Sequence, residues 1–193
     1  MQKIADYYMT PSSPWTYLGH ARFGEIARRY NVTVRVKPVD YGVVFPQSGG
    51  LPLAKRAPQR QAYRLVELRR WSAHLGISLN VQPKHFPVDA MPAACLIASA
   101  PEAARFALAG ALLAAVWRDE ENIADPATLG RIGAQHGVGD VPAAIRAGEP
   151  AFRAFTDEAL RRGVFGAPTY VVGDELFWGQ DRLEFVERAL AQG

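Results

Sequence analysis

Cysteine is almost missing from this chain. Among the 193 residues there is one cysteine, Cys95. A single cysteine cannot form an internal disulfide, so the sequence excludes a disulfide-stabilised fold and fits a reducing compartment. The neighbours of Cys95 are apolar, and we therefore expect a small buried side chain there rather than a reactive thiol.

Other absences exclude whole classes of function. The sequence has no apolar run near the roughly 18 residues of a membrane span and no recognisable signal peptide, so we expect a cytoplasmic protein that does not bind membranes. Its four histidines lack metal-ligand spacing, which predicts no metal site, and we expect His20, His74 and His136 on helix surfaces. The net charge is only +3, and basic residues do not alternate with aromatic ones, so nucleic acid is not an expected partner.

Positive charge is concentrated in one stretch near residue 60. Glu67 is the only acid there beside six basic residues, which are Lys55, Arg56, Arg60, Arg64, Arg69 and Arg70. Two interpretations stay open from the residues alone. The stretch is either a solvated helix face or a wall that attracts an anion to a site.

The hydrophobic pattern predicts strands at both ends of the chain and helices between them. Strands are predicted over 3–9, 32–39, 169–173 and 175–178, and helices over 14–30, 58–76, 92–99, 102–117, 126–136, 142–147, 151–162 and from Asp181 onward. Residues 40–54 are rich in glycine and proline, and they predict an ordered loop over a site. Since no Gly-x-Gly-x-x-Gly follows the first strand, a dinucleotide-binding arrangement is disfavoured.

The most informative stretch lies where the first strand meets the first helix. It is Pro11-Ser12-Ser13-Pro14-Trp15-Thr16-Tyr17-Leu18. A serine followed by proline predicts a helix start, with Ser13 as the N-cap and Pro14 as the first helical residue. Free N–H groups and the helix dipole stabilise an anion there, including a thiolate. Ser13 and Thr16 have the spacing of a Cys-x-x-Cys pair, with a hydroxyl in place of each sulfur.

A second signal lies near the far end of the chain. Residues 163–173 predict a loop that enters a strand, and Pro168 stands where its missing N–H does least harm. We expect a cis Ala167–Pro168 bond, because cis costs an X–Pro bond only about 0.5–1 kcal/mol. Gln180 and Asp181 follow at the start of the last predicted helix.

These motifs together resemble the 2-hydroxychromene-2-carboxylate isomerase family, whose members are related to kappa-class glutathione transferases and DsbA-like oxidoreductases. The resemblance rests on Ser-Pro-Trp-Thr-Tyr-Leu at 13–18, Gly-Val-Phe-Gly-Ala-Pro-Thr at 163–169 and Phe-Trp-Gly-Gln-Asp-Arg-Leu at 177–183. It implies an α/β fold, a thioredoxin-like sheet with a large all-helical insertion. Residues 1–41 and 159–193 would form the thioredoxin-like domain and 42–158 the insertion.

The resemblance also implies roles for particular residues around a glutathione cofactor. Ser13 would donate a hydrogen bond to the glutathione sulfur, and the Ala167-Pro168 peptide would pair with the cysteinyl backbone like an added strand. Gln180 and Asp181 would hold the γ-glutamyl group. Weaker candidates, for the carboxylates of the substrate and of the glycyl residue, are Lys55, Arg56, Arg60 and Tyr63.

The implied activity is glutathione-dependent isomerisation of an aromatic 2-oxo acid, through thiol addition, bond rotation and elimination in aromatic catabolism. Two alternatives remain: a kappa-like transferase or peroxidase that acts on another electrophile, and a non-catalytic thioredoxin-like binding module. A disulfide oxidoreductase is disfavoured because Ser13 and Thr16 replace both sulfurs. The resemblance leaves open whether the chain forms a homodimer, and it gives His85 no role.

Overall fold

A mixed four-stranded sheet forms the base of the protein. The computed structural model describes residues 2–192. The strands are β1 (Lys3–Met9), β2 (Val32–Pro38), β3 (Thr169–Val172) and β4 (Glu175–Trp178), in the order β2-β1-β3-β4. β1 runs parallel to β2 and antiparallel to β3, and β3 is antiparallel to β4. The first and last parts of the chain thus meet at β1 and β3.

Helices occupy most of the chain between β2 and β3. The helices are α1 (Pro14–Arg29), α2 (Tyr41–Ser48), α3 (Pro58–Leu75), α4 (Met91–Ser99), α5 (Glu102–Trp117), α6 (Pro126–Gln135), α7 (Val141–Arg161) and α8 (Leu183–Gln192), with 3₁₀ turns at Leu53–Lys55 and Gln180–Arg182. The α/β class and the sheet interrupted by a helical segment are confirmed. The exact domain limits, 1–41 and 159–193 against 42–158, stay a prediction.

β1 is buried on both faces and organises the core. Tyr7 and Met9 pack into the large apolar cluster with α1, α4 and α5, while Tyr8 packs on the opposite face with α7. All three side chains are fully buried. Cys95 is also buried, as predicted, in a small cluster where α4 meets α7.

A cluster of charges ties α7 to the sheet. Asp6 on β1 is 3% exposed and pairs with Arg35, Lys37 and Arg162, and Lys37 also pairs with Glu158 on α7. Burial alone would raise the pKa of Asp6, but hydrogen bonds from Arg35 and Lys37 outweigh it and hold that pKa below its usual value. The last turns of α7 are therefore anchored to β1 and β2.

Two of the predicted element boundaries are wrong. Residues 41–48, predicted as loop, form α2, because the Asp40 side chain accepts from the Gly42 N–H and Gly49 ends the helix in the left-handed region. The two helices predicted at 142–147 and 151–162 are one helix, α7, with Pro150 inside it. Proline disfavours a helix interior, but here packing of α7 along α4 outweighs that local preference.

His20 is a third correction, since we expected it on a helix surface. It is 8% exposed. Its Nε2 lies 3.1 Å from the Phe106 carbonyl and must donate to it, so Nδ1 accepts from the Tyr7 hydroxyl at 3.2 Å. Gly110 leaves space for the ring, because a Cβ there would lie 2.8 Å from Nε2. Burial lowers the pKa of His20 to about 4, so the ring is neutral.

Candidate functional site

The start of α1 places the Ser13 hydroxyl at one wall of a large cavity. Ser13 is the N-cap, with φ −87° and ψ 123°, and Pro14 follows at the first helical position, as predicted. The Ser13 Oγ accepts from the Thr16 N–H at 3.2 Å. Because that bond uses an oxygen lone pair, the hydroxyl hydrogen remains available to an anion beside the helix start.

The loop before β3 forms another part of the cavity wall. The Ala167–Pro168 bond is cis, as predicted. The Gly166 carbonyl accepts two hydrogen bonds, from the Tyr41 hydroxyl at 2.9 Å and from the Thr169 hydroxyl at 2.7 Å. Within residues 2–192, by contrast, the backbone N–H and C=O of Ala167 take part in no loop hydrogen bond. The loop is thus fixed at Gly166 and leaves the Ala167 peptide free to bind an extended ligand.

Close packing holds this loop against β4. A Cβ at Gly166 would lie 2.3 Å from Trp178 Nε1, so no side chain fits at that position. The Phe165 and Trp178 rings are 4.8 Å apart, centroid to centroid. In addition, the Gly179 N–H donates to the Pro168 carbonyl at 2.9 Å. The loop conformation therefore depends on the end of β4 as well as on α2.

The cavity between these walls has a volume of about 910 Å³. Ser13 and Ala167 both line it. Its aromatic lining comes from several elements, and consists of Trp15, Tyr41, Phe45, Phe86, Phe152, Phe165 and Trp178. A pocket of this kind suits a ligand that is mostly apolar and has a few polar groups.

Three arginines line one side of the cavity. Arg60 and Arg64 lie four residues apart in the first turns of α3, and Arg56 lies four residues before Arg60, at the end of the preceding 3₁₀ turn. In the described chain none of the three forms an ion pair. Burial, and then the charge of Arg56, lower the pKa of Arg64 to about 10. Burial and Arg60 likewise lower the pKa of Arg56. This wall would be stabilised by an anionic ligand.

The structure brings some of the predicted site residues together and leaves others apart. Ser13, Ala167, Arg56 and Arg60 line the cavity. The other predicted residues are absent from the lining formed by the described chain: Lys55, Tyr63, Pro168, Gln180 and Asp181. Lys55 and Tyr63 are exposed on α3 and the turn before it, and Pro168 is buried behind Ala167. Their ligand contacts stay predictions.

Gln180 and Asp181, predicted to act together, have different surroundings. Gln180 is 2% exposed, and its side-chain oxygen accepts from Arg22 on α1 at 3.3 Å. Asp181 is exposed at the start of the 3₁₀ turn, 3.5 Å from Arg182. The geometry therefore leaves the Asp181 carboxylate accessible to a ligand, while the Gln180 side chain contacts α1.

Sequence reasoning missed two residues of the site. Arg64 stood in the basic stretch but was not selected, although its spacing of four from Arg60 would have placed it on the same helix face. Tyr41 was missed because its segment was predicted as a loop. No local signal could reveal its bond to Gly166, which is 125 residues away.

His85 lies away from the Ser13 wall. It lines a shallower cavity of about 300 Å³ together with Lys84 and Asn122. No group of three or more metal-ligating side chains occurs within residues 2–192. The structure therefore adds no role for His85.

The fold and this site define a class of protein. The family model described as a DSBA-like thioredoxin domain matches residues 6–191, so the chain belongs to the DsbA-like thioredoxin family. Solved structures agree with this assignment. The cytosolic disulfide reductase DsbM from Pseudomonas aeruginosa with GSH has a TM-score of 0.68 at 18% identity, covering 98% of this chain and 96% of that one.

Within that family, the similarity is strong to one group of enzymes. A 2-hydroxychromene-2-carboxylate isomerase from Pseudomonas putida is 30% identical over 98% of this chain and 95% of its own length. One from Sphingobium xenophagum is 29% identical, over 98% and 99%. The structure of a 2-hydroxychromene-2-carboxylate isomerase superposes with a TM-score of 0.85 at 27% identity, covering 98% and 95% of the two chains. These relatives support an isomerase activity.

Helices that cross a bilayer must be long and apolar. Across residues 2–192, no helix combines the length and the apolar character that a membrane crossing needs.

Proposed function

We propose that this protein is a glutathione-dependent isomerase of the 2-hydroxychromene-2-carboxylate and trans-o-hydroxybenzylidenepyruvate type. The observation that carries the proposal is the Ser13 hydroxyl, at the helix start where related redox proteins have a cysteine, facing a cavity with an arginine wall. Since Thr16 replaces the second sulfur, the chemistry needs a thiol from outside the chain. The similarity to named isomerases supports the same conclusion.

The residues present fit glutathione. The Ala167 peptide offers a donor and an acceptor to an extended backbone, and it lines the same cavity as Ser13. Asp181 is exposed and suits the γ-glutamyl ammonium, while the arginine wall suits a carboxylate. When bound, glutathione would supply a thiolate that adds reversibly to the conjugated double bond, so that this bond can rotate.

The contribution of the protein is to stabilise negative charge. Lowering a thiol pKa by about two units needs roughly 2.7 kcal/mol. A hydrogen bond from Ser13 to the anion supplies about 1.5–3 kcal/mol, and the α1 N-terminus adds roughly 0.3–1 kcal/mol. A ligand bound against the aromatic lining would displace water and so strengthen both interactions. The lone buried Cys95 and the need for a reduced thiol support a cytoplasmic location.

The test is turnover of trans-o-hydroxybenzylidenepyruvate, followed by absorbance with and without millimolar glutathione. We expect isomerisation that requires glutathione, together with saturable glutathione binding by calorimetry. Binding without isomerisation, combined with turnover of a halogenated aromatic or an organic peroxide, would favour a kappa-like transferase or peroxidase instead. Failure to bind glutathione would favour a non-catalytic module.

A further inference from the structure

We propose that Arg64 receives the carboxylate of an aromatic 2-oxo acid and sets the preference of the cavity for acids over neutral compounds. This inference deepens the proposed function and rests on it for the class of substrate. Arg64 projects from α3 into the cavity that Ser13 and Ala167 also line.

The Arg64 guanidinium group lies beside two aromatic rings. Its central carbon is 5.2 Å from the centroid of Phe86 and 5.7 Å from that of Trp117. The two rings pack on each other at 4.9 Å. These rings hold the guanidinium group by cation–π contact and offer its N–H donors no ordinary acceptor, so the donors can bind a planar anion.

Arg64 differs from the other partly buried arginines in having no polar partner within residues 2–192. Arg22 donates to the Gln180 side chain, Arg162 donates to the Asp6 carboxylate, and Arg105 donates to two main-chain carbonyls. Arg64 takes part in no ion pair or side-chain hydrogen bond in that part of the chain. Burial and the neighbouring Arg56 both disfavour its charge. An anionic ligand would relieve this cost.

The two other arginines of the wall are less suited to the substrate. The Arg56 Nε donates to the Leu51 carbonyl at 2.8 Å, so one N–H group of its guanidinium already holds the turn before α3. Arg60 is exposed, and solvent screens its charge. Arg64 is thus the one arginine of this wall that combines partial burial with a free donor edge.

The cavity has room for an aromatic acid beside glutathione. Its volume of about 910 Å³ is near the upper end of the roughly 300–1,000 Å³ of ligand pockets. Phe45, Phe86 and Phe152 line it with flat apolar surface. An aromatic ring bound among these side chains, with a carboxylate at one end, matches both the rings and the free edge of Arg64.

The test compares an acid with its neutral ester in the absence of glutathione. The probes are 2-oxo-4-phenylbut-3-enoate and its methyl ester, and dissociation constants are measured by quenching of tryptophan fluorescence. We expect wild type to bind the acid more tightly than the ester. Arg64→Gln should weaken acid binding by roughly 10- to 150-fold, as loss of a charged hydrogen bond does, and leave ester binding unchanged.

Matched variants complete the design. Arg69→Gln removes an exposed arginine from the same helix and should bind the acid like wild type. Arg64→Lys keeps the positive charge but loses the planar pair of guanidinium donors. It should therefore prefer the acid over the ester less than wild type does, but more than Arg64→Gln does. It also serves as the measurement if Arg64→Gln folds poorly.

The outcomes separate this proposal from the proposed function. Equal loss of acid and ester in Arg64→Gln, unchanged acid binding, or a wild type that does not prefer the acid would each overturn the role of Arg64. Weaker glutathione binding with intact acid binding would also overturn it, by assigning Arg64 to the cofactor. An acid preference that depends on Arg64 would stand even if glutathione does not bind.

Discussion

The Tyr41 hydroxyl donates to the Gly166 carbonyl at 2.9 Å and joins α2 to the loop that contains cis-Pro168. Tyr41 is 8% exposed, and burial raises its pKa far above the usual value, so the hydroxyl stays protonated and can donate. The two residues are 125 positions apart in the chain. Their bond connects the arginine side of the cavity, through α2, with the peptide that we assign to glutathione.

Tyr41→Phe should weaken glutathione binding several-fold and cost about 1 kcal/mol of unfolding free energy, because Thr169 alone then holds the Gly166 carbonyl. Calorimetry and urea unfolding measure the two effects. Tyr17→Phe is the matched control, since it removes a tyrosine bond to the Ser78 carbonyl outside the cavity. If both variants bind glutathione like wild type, the Tyr41 bond does not position the loop.

Ser13→Ala should lower isomerase turnover on the order of a hundredfold, as loss of one anion-stabilising donor does, while stability falls by only about 1 kcal/mol. Asp125→Ala is the control, because Asp125 caps α6, also before a proline, and does not line the cavity. It should lose similar stability and keep full turnover. Unchanged turnover and thiol pKa in Ser13→Ala would make Ser13 a helix cap only.

Replacing both Ser13 and Thr16 by cysteine should create a redox-active pair. The spacing is that of Cys-x-x-Cys, and the start of α1 should lower the pKa of the first thiol. Thiol titration and the redox equilibrium with glutathione measure the outcome. The Ser13→Cys single variant is the control. A double variant that stays reduced in air while folded would contradict the similarity of this helix start to a redox site.

Asp181→Asn should weaken glutathione binding by roughly 10- to 150-fold with little effect on the chemical step, since it loses a charged bond to the ammonium group. A glutathione analogue without that amine should bind wild type and variant equally. Asp174→Asn, in the exposed turn between β3 and β4, is the control. If the variant loses affinity for both ligands equally, Asp181 supports the turn before α8 instead.

His20 should make stability depend on pH between about 4 and 6.5. In the unfolded state the pKa of His20 is about 6.5, whereas burial lowers this pKa to about 4 in the folded state. Stability is therefore complete above this window and falls as pH decreases through it, by roughly 3 kcal/mol at most. Urea unfolding at several pH values gives the free energy of unfolding at each pH. Between pH 4 and 6.5 this free energy should change less with pH in His20→Gln than in wild type. His74→Gln, on the exposed surface, should match wild type.

Local signals predicted the two ends of the chain well. The Ser13-Pro14 cap and the cis Ala167–Pro168 bond each depend on one or two neighbouring residues, and both were predicted from sequence. The prediction of two helices on either side of Pro150 was wrong, because the local preference of proline to break a helix is outweighed by the packing of α7 on α4. The predicted surface position of His20 was wrong because its two hydrogen-bond partners are Tyr7 and Phe106, which only the folded chain brings together.

The substrate side of the site was less predictable for the same reason. Charge spacing indicated an anion-binding wall, but not which arginine would be partly buried. That depends on Phe86 and Trp117, which come from two other segments of the chain. Tyr41 likewise acquires its role only when β3 brings Gly166 beside α2.

The length of α7 has a mechanical consequence. One uninterrupted helix supplies Phe152 to the cavity and Glu158 to the charges on the sheet, and its C-cap residue Arg162 joins the same charges. Because α7 is held in this way, its last turns cannot move outward without breaking ion pairs of the buried Asp6. We therefore expect a ligand to enter past the exposed lining residues, such as Leu51 and Trp178 at 49% and 50% exposure, without movement of α7.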